Sequence, residues 1–534
     1  MKKTIKYILF VLLIGAITSC SKDYLRDYDT IQQKDAVESV NDPFLLSSII
    51  KKTALFYQEQ GYSSTKLSGA TQYIVRNYQG GDNTYSGFKS PTTEMYSAMD
   101  ILKLVDASIK LAEIRGSKTH EGIFMTFRVL IFSYMTDYYG DVYYTEALKG
   151  REGILYPKYD KQQDIYTGLL SELAKAETLI DGGTDPVSSS YDLLFAGDKQ
   201  KWLRFNNSLR LRLLMHESKK ISNVGAEINS IVSKVMTGVN DNASLAYIGT
   251  TAANSWTGGP LNWATADEFD KRRPSKTLVD MLASLNDPRL QVWFAPVEKP
   301  WTNNPALDGV TVNTTDRNGY TYTSKWEYVD MAKPAIAAQA GNILDKDKLY
   351  AGWIAGMAPD FKNGNGHYDT QAGGVVGNFK VSKFSTLFRQ NKHNLLKAVI
   401  MNADEVQFNL AEAVVKGYIT GNADTYYRNG ITYSMKRWGI SDADIATYLA
   451  QASIALPADN AGKLDKIATQ KWLALFLVST ESYIELRRTR LPDIFNNGNL
   501  KNYVFPSRFR YPGNELGQNK NAYDAGVATL APAV

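Results

Sequence analysis

The sequence holds one cysteine and four histidines in 534 residues. A single thiol leaves no intramolecular disulfide and no CxxC metal or redox site. The histidines, at 120, 216, 367 and 393, are far apart and none sits in HExxH, so no metal site is expected. GxSxG, GxxxxGK[ST] and GxGxxG are also absent, and no cofactor is expected. Charge of one sign is scarce. Sixty Lys+Arg against 55 Asp+Glu give a net +5, too little over this length for a dedicated nucleic-acid partner. No apolar run reaches the roughly 20 residues of a membrane-spanning helix. What is present is 44% hydrophobic and 22% charged residues, the balance of a globular chain that buries a sizeable core.

The first twenty residues address the chain. Lys2, Lys3 and Lys6 precede an apolar run from Tyr7 to Ile17, the layout of an export signal. It ends Ile17-Thr18-Ser19-Cys20, which resembles the bacterial lipobox. That resemblance implies a signal peptide over 1–19, cleavage before Cys20 and lipidation of Cys20. Acyl chains then hold the protein on a membrane without a spanning helix. Polar, mixed-charge residues 20–33 read as a tether.

Beyond the tether, apolar periodicity predicts helices. Ile123, Phe124, Phe127, Leu130, Ile131, Tyr134 and Tyr138 stripe the stretch Glu121 to Tyr139, which Gly140-Asp141 stops. Lys161 to Ile180 repeats the pattern. Asp198 is placed to cap a helix through Trp202, Leu209 and Leu213, and Ala226 to Met236 adds a short one. Asp404 to Lys416 and Asp424 to Trp438 form a pair, and Lys463 to Arg490 reads as one long helix before Pro492. Helix pairs at about 35–40-residue spacing give a mainly α fold with a tetratricopeptide-like scaffold.

Residues 241–395 differ: Gly, Asn, Thr and Pro punctuate them and helical stripes are few. Six of the nine tryptophans lie there, at 256, 263, 293, 301, 326 and 353. An irregular stretch loaded with indoles suits a surface that stacks on a ligand. For any one ring, gluing the irregular region together is the better reading; for the group, at least one ring in contact with ligand is expected. Asn363 to Asp369 carries oxygen ligands for Ca²⁺ but lacks EF-hand spacing, and reads as a turn.

Motifs then accumulate in order: Asp137-Tyr138-Tyr139-Gly140-Asp141, Tyr156-Pro157-Lys158-Tyr159-Asp160, Lys201-Trp202, Asn207 to Arg212 and Asp287-Pro288-Arg289. Glu405 to Ala413, Gln470-Lys471-Trp472, Glu485 to Thr489 and Pro506-Ser507-Arg508 follow. Together they resemble the SusD/RagB-type (SusD-like) outer-membrane lipoproteins over nearly the whole mature chain. Arg490 departs from the pattern, standing where Gly is expected, and Asn402-Ala403 stand where a bulkier, less polar lead-in is expected. Most of these residues read as structural: Gly140 permits a turn, and Asp287-Pro288-Arg289 is a turn locked by Pro and an ion pair.

The resemblance implies a single domain over 34–534. A helical scaffold (about 34–240 and 396–534) carries a ligand-binding insertion (about 241–395). It implies a non-catalytic lipoprotein on the outer face of a Gram-negative outer membrane. Such a protein captures oligosaccharide, or in some branches peptide, and passes it to a SusC-type TonB-dependent transporter. A surface glycoside hydrolase, needing two carboxylates roughly 5–10 Å apart, is the alternative. The resemblance places ligand contacts in the loop after the first helical segment and in the insertion. Stacking candidates there are Tyr78, Tyr85, Trp256, Trp263, Trp301, Trp326 and Trp353. Arg76, Asn77 and Asn83 are candidate donors to hydroxyls.

Overall fold

The computed structural model describes residues 41–63, 65–76, 85–265, 269–330, 346–355, 369–370, 376–377, 381–496, 500–501 and 503–529. The N-terminal half is helical: α1 (Asp42–Gln58), α2 (Thr65–Ala70), α3 (Glu94–Arg115), α4 (Lys118–Tyr139), α5 (Gln162–Gly182), α6 (Lys199–His216) and α7 (Val224–Ile231). Two residues join α3 to α4, so they form an antiparallel hairpin, and α4–α5 and α5–α6 continue the stack. The helix α5 is amphipathic, burying Ile165, Tyr166, Leu169, Leu173, Ala176 and Ile180. In α4 every residue but Lys118 and Arg128 is buried, so it runs through the middle of the scaffold. Gly122 lets α4 approach α5: a Cβ there would stand 2.7 Å from the Ala176 carbonyl oxygen.

Several expected ends are seen. The Asp198 carboxylate accepts from the backbone N–H groups of Gln200 and Lys201 at 2.9 and 3.2 Å, capping α6. Gly140 ends α4 with φ +86°. Asp141 reaches further than a local turn, accepting from the Gln162 N–H at the start of α5 (2.9 Å). The helices α1 and α3 went unmarked in the sequence, although each buries an apolar stripe: Leu46, Ile49, Ile50, Ala54 and Tyr57 in α1, and Met95, Ala98, Ile101, Leu102 and Val105 in α3.

From residue 243 to 401 short elements prevail. Strands β1 (Ile74–Arg76), β2 (Ala243–Ala246) and β3 (Arg272–Pro274) precede α8 (Lys276–Ser284) and α9 (Leu290–Trp293). Then come β4 (Trp301–Thr302), β5 (Thr311–Thr315), β6 (Thr321–Lys325), β7 (Glu327–Tyr328), β8 (Asp369–Thr370), β9 (Val376–Gly377) and β10 (Lys397–Met401). They form two-stranded pairs: β1–β3, β2–β10, β5–β6 and β8–β9 antiparallel, β4–β7 parallel. The scaffold resumes with α10 (Ala403–Val415), α11 (Ala423–Arg437), α12 (Asp442–Leu449), α13 (Asn460–Ala474), α14 (Ser479–Thr489), α15 (Gly513–Gln518) and α16 (Lys520–Thr529).

The expected single helix from Lys463 to Arg490 is in fact two. Leu477 takes the left-handed conformation, φ +69°, between α13 and α14. The break redirects α14 toward the N-terminal region, where the Ser479 hydroxyl donates to the Gly61 carbonyl (2.9 Å). No Gly or Pro marks it, so tertiary packing overrides local propensity. Arg490 also has positive φ, +59°, the conformation glycine accepts without strain. Its guanidinium lies 5.2 and 5.4 Å from the ring centres of Phe495 and Phe505.

Some of the motif residues meet in a buried ion network. Arg212 on α6 donates bidentately to Glu405 on α10, at 2.7 and 2.6 Å. Arg212 also lies 3.3 Å from Glu481, which lies 2.8 Å from His216 Nε2. Lys471 bridges Glu485 (2.9 Å) and Asn409 (2.7 Å), and Arg488 bridges Glu485 and Glu412. In the last turn of α14, Arg488 is thus held by buried carboxylates rather than by the helix dipole alone, while Arg487 donates to the backbone carbonyls of Asp137 and Ser507. Asp287 and Arg289, fully buried, form the expected ion-paired turn at 2.6 Å.

Burial alone would lower the His216 pKa; Glu481 and Asp137 outweigh it and hold the imidazolium at about 10. Burial would raise Glu481, but His216 and Arg212 bring it down to about 2. The His216 contribution to stability is therefore complete below pH 6.5 and is lost as pH rises through about 10. That of Glu481 is complete above pH 4.5 and is lost as pH falls through about 2. Removing one partner of a buried pair costs about 3–5 kcal/mol. Denaturant unfolding of His216→Gln should show such a loss at pH 6, shrinking toward pH 10. A loss independent of pH would remove His216 from the network.

Candidate functional site

Strand β1 brings two distant parts of the sequence together. Its register sets Arg76 opposite Arg272, so the start of the 76–85 loop lies beside the 241–395 stretch. Arg272 extends over Trp263, its guanidinium carbon 4.2 Å from the ring centre, and lies 5.9 Å from that of Tyr62. Tyr62 and Trp263 stack at 5.8 Å with an interplanar angle of 27°. Arg389 fixes the turn from behind, donating to the carbonyls of Gly258 (2.9 Å) and Trp263 (2.8 Å). Gly258 is required by close approach: a Cβ would stand 2.8 Å from the Phe388 carbonyl oxygen. Trp263 remains half-buried with surface to offer.

The other candidate rings divide sharply. Trp256 and Trp353 are 0% and 1% exposed, and Trp301 is 5% exposed. Trp256 donates its indole N–H to the Phe388 carbonyl (2.9 Å) and packs on Tyr62 at 4.5 Å. These three have no open face for stacking; their apolar area is spent on packing the irregular region. Tyr85 is buried as well, edge-on to Phe505 at 5.7 Å. Trp326 is half-buried, next to exposed Tyr328 and Val310, and so keeps accessible surface. Asn77, Tyr78, Asn83 and Cys20 lie outside the described residues, as does most of the Asn363–Asp369 loop. Tyr62, Arg272 and Arg389 were missed in the sequence; no spacing tied them to Trp263, which only folding brings near.

His216, Glu481 and Glu485 bring donor atoms within 4.8 Å of one another, a spacing a metal would use. Their chemistry disfavours it. A His216 held protonated to about pH 10 has no lone pair to give, and both carboxylates already face cations. The charges of this cluster hold helices together. Among the described residues no helix is long and apolar enough to cross a membrane.

A family profile described as starch-binding, associating with the outer membrane, matches residues 34–361 and 357–512. Solved structures share the fold. A SusD homologue from Bacteroides fragilis superposes with TM-score 0.69 at 22% identity, covering 93% of this chain and 97% of its own. A Bacteroidetes SusD-like protein gives TM-score 0.70 at 22% identity, covering 93% and 98%. A chitin-binding protein gives 0.67 at 22% identity, covering 91% and 96%. No curated protein matches the chain. The profile spans the scaffold motifs and the irregular middle alike, and the chain belongs to the SusD-like family.

Proposed function

We propose that this protein captures oligosaccharide at the cell surface, without cleaving it, on the surface that Trp263 and Arg76 mark. The observation that carries the reading is the β1–β3 pairing, which sets Arg76 opposite Arg272, the residue whose guanidinium lies over the half-buried Trp263 ring that Tyr62 also packs against. An indole face accepts the C–H face of a sugar ring, and guanidinium N–H groups donate to hydroxyls. Trp326 with Tyr328 offers a further aromatic surface. Glycan is favoured over peptide because the family description names starch and a solved neighbour is described as chitin-binding. Delivery to a SusC-type TonB-dependent transporter and anchoring through acylated Cys20 complete the proposal. Both follow the family resemblance and the lipobox at residues 17–20.

Trp263→Ala should weaken binding of a starch or chitin oligosaccharide by about tenfold to a hundredfold, the value of about 1–3 kcal/mol for an aromatic stacking platform. Its melting temperature should barely move. Trp256→Ala should instead lose about 3–5 kcal/mol of stability, as a buried indole does. Calorimetric titration and thermal melts, run together, check both. If Trp263→Ala binds as wild type does, the platform lies elsewhere; new reducing ends on incubation with glycan would count against a pure binder.

Cys20→Ala should abolish incorporation of radiolabelled fatty acid and release the protein from the membrane fraction. Label retained in the variant would refute the lipobox. Purified from detergent-solubilised outer membrane at native expression, the protein should carry a TonB-dependent barrel with it. Recovery only as a monomer would argue for a stand-alone binder.

A further inference from the structure

A cavity of about 270 Å³ lies between the β2–β10 pair and the end of α11. It shares no lining residue with the Arg76–Trp263 surface. Its volume sits just below the usual small-molecule range of about 300–1,000 Å³, which suits one sugar-sized unit rather than a chain. Three features separate it from an ordinary surface dimple.

The first is charge. Lys397, Lys436 and Arg437 line it, and no Asp or Glu does. Lys436 pairs with Asp442 at 2.9 Å, but the Asp442 side chain is 82% exposed, so that pair is screened and weak. Arg437 faces Asp404 at 3.5 Å, yet neither Arg437 Nε nor Asp404 Oδ2 makes a hydrogen bond there. Burial lowers the Arg437 pKa and raises that of Asp404, so their pairing is incomplete compensation.

The second is an orphaned donor. Trp438 lines the cavity and is 2% exposed, and its indole Nε1 has no hydrogen-bond partner. A buried N–H left unpaired costs about 1–3 kcal/mol and is uncommon in folded proteins. The third is rigidity. Leu477, another lining residue, is held at φ +69° by the turn that carries α14 toward Gly61, so the fold fixes this wall of the cavity. Asn240, Asn242 and Asn394 add amides suited to hydroxyl groups.

We infer that this cavity is a second binding site, for a single acidic sugar unit such as a uronate. Arg437, Lys397 and the Trp438 N–H supply donors to the carboxylate, and the asparagines hydrogen-bond the ring hydroxyls. The inference goes beyond capture at Trp263: it adds a separate site with a preference for anionic units.

The test uses the full-length mature protein labelled with ¹⁵N at tryptophan indoles, titrated with galacturonate, glucose and acetate. Galacturonate should shift the Trp438 indole cross-peak saturably, with glucose and acetate each at least about tenfold weaker. Lys397→Glu and Asn394→Asp, both at exposed positions, should raise the galacturonate Kd by about tenfold or more and leave the remaining spectrum intact. The cross-peak is assigned with Trp438→Phe; should that variant not fold, calorimetry on the two exposed variants carries the test. No saturable binding, equal binding of glucose or of acetate, or an unchanged Kd in Lys397→Glu would overturn the proposal. Capture at Trp263 is read from that residue's own cross-peak, so the two proposals fail separately.

Discussion

The scaffold depends on a set of charges taken out of water and matched to one another. Arg212 on α6 reaches Glu405 on α10 and Glu481 on α14, and Lys471 on α13 and Arg488 on α14 share Glu485. Each ion loses several kcal/mol of hydration on burial, so every partner must be in place. That requirement fixes how the N-terminal stack docks on the C-terminal helices, because the network exists only in one alignment. Apolar packing alone would tolerate sliding of one helix on another; a buried bidentate Arg–carboxylate pair does not. His216 belongs to the same set, its charge held by Glu481 and Asp137.

The same physics separates structural from functional readings of conspicuous residues. A His–Glu–Glu cluster has the look of a metal centre until its protonation state is considered; a cation already occupies the role a metal would take. The tryptophans divide in a parallel way. Burying an indole stabilises an irregular region that lacks continuous helices, and Trp256, Trp301 and Trp353 are used so. Once several rings are committed inward, few remain to meet a ligand. Trp263 stays partly open because its backbone is held from behind by Arg389 while Arg272 and Tyr62 back its ring.

The irregular middle follows from what the scaffold leaves open. Its two-stranded pairs are too small to be stable alone and depend on the helices they rest against. The β1–β3 pair ties the loop after α2 to this region, and β2–β10 returns the chain to the scaffold ahead of α10. Each pair therefore brings polar side chains from remote sequence together, Arg76 with Arg272 at β1–β3 and Ser244 with Lys397 at β2–β10. That is the arrangement from which a binding surface can be assembled without catalytic residues.

The sequence by itself determined helices α4, α5, α6, α10 and α11, the cap at Asp198, the stop at Gly140 and the family motifs. These depend on neighbours within a turn or two, and the chain carries that information locally. Only the tertiary structure decided the rest. The break at Leu477 has no local signal, because α14 must turn to reach Gly61. Arg490 takes a glycine-like conformation at the end of α14 with its guanidinium near Phe495 and Phe505, a placement that no local pattern announces. Asp137, Arg212, Glu405, Lys471, Glu485 and Arg488, scattered over the motifs, join with His216 and Glu481 in one ion network, and which indoles face outward was settled by what packs behind them. Charge pairing and burial are properties of proximity, and proximity between residues hundreds of positions apart is created only by folding.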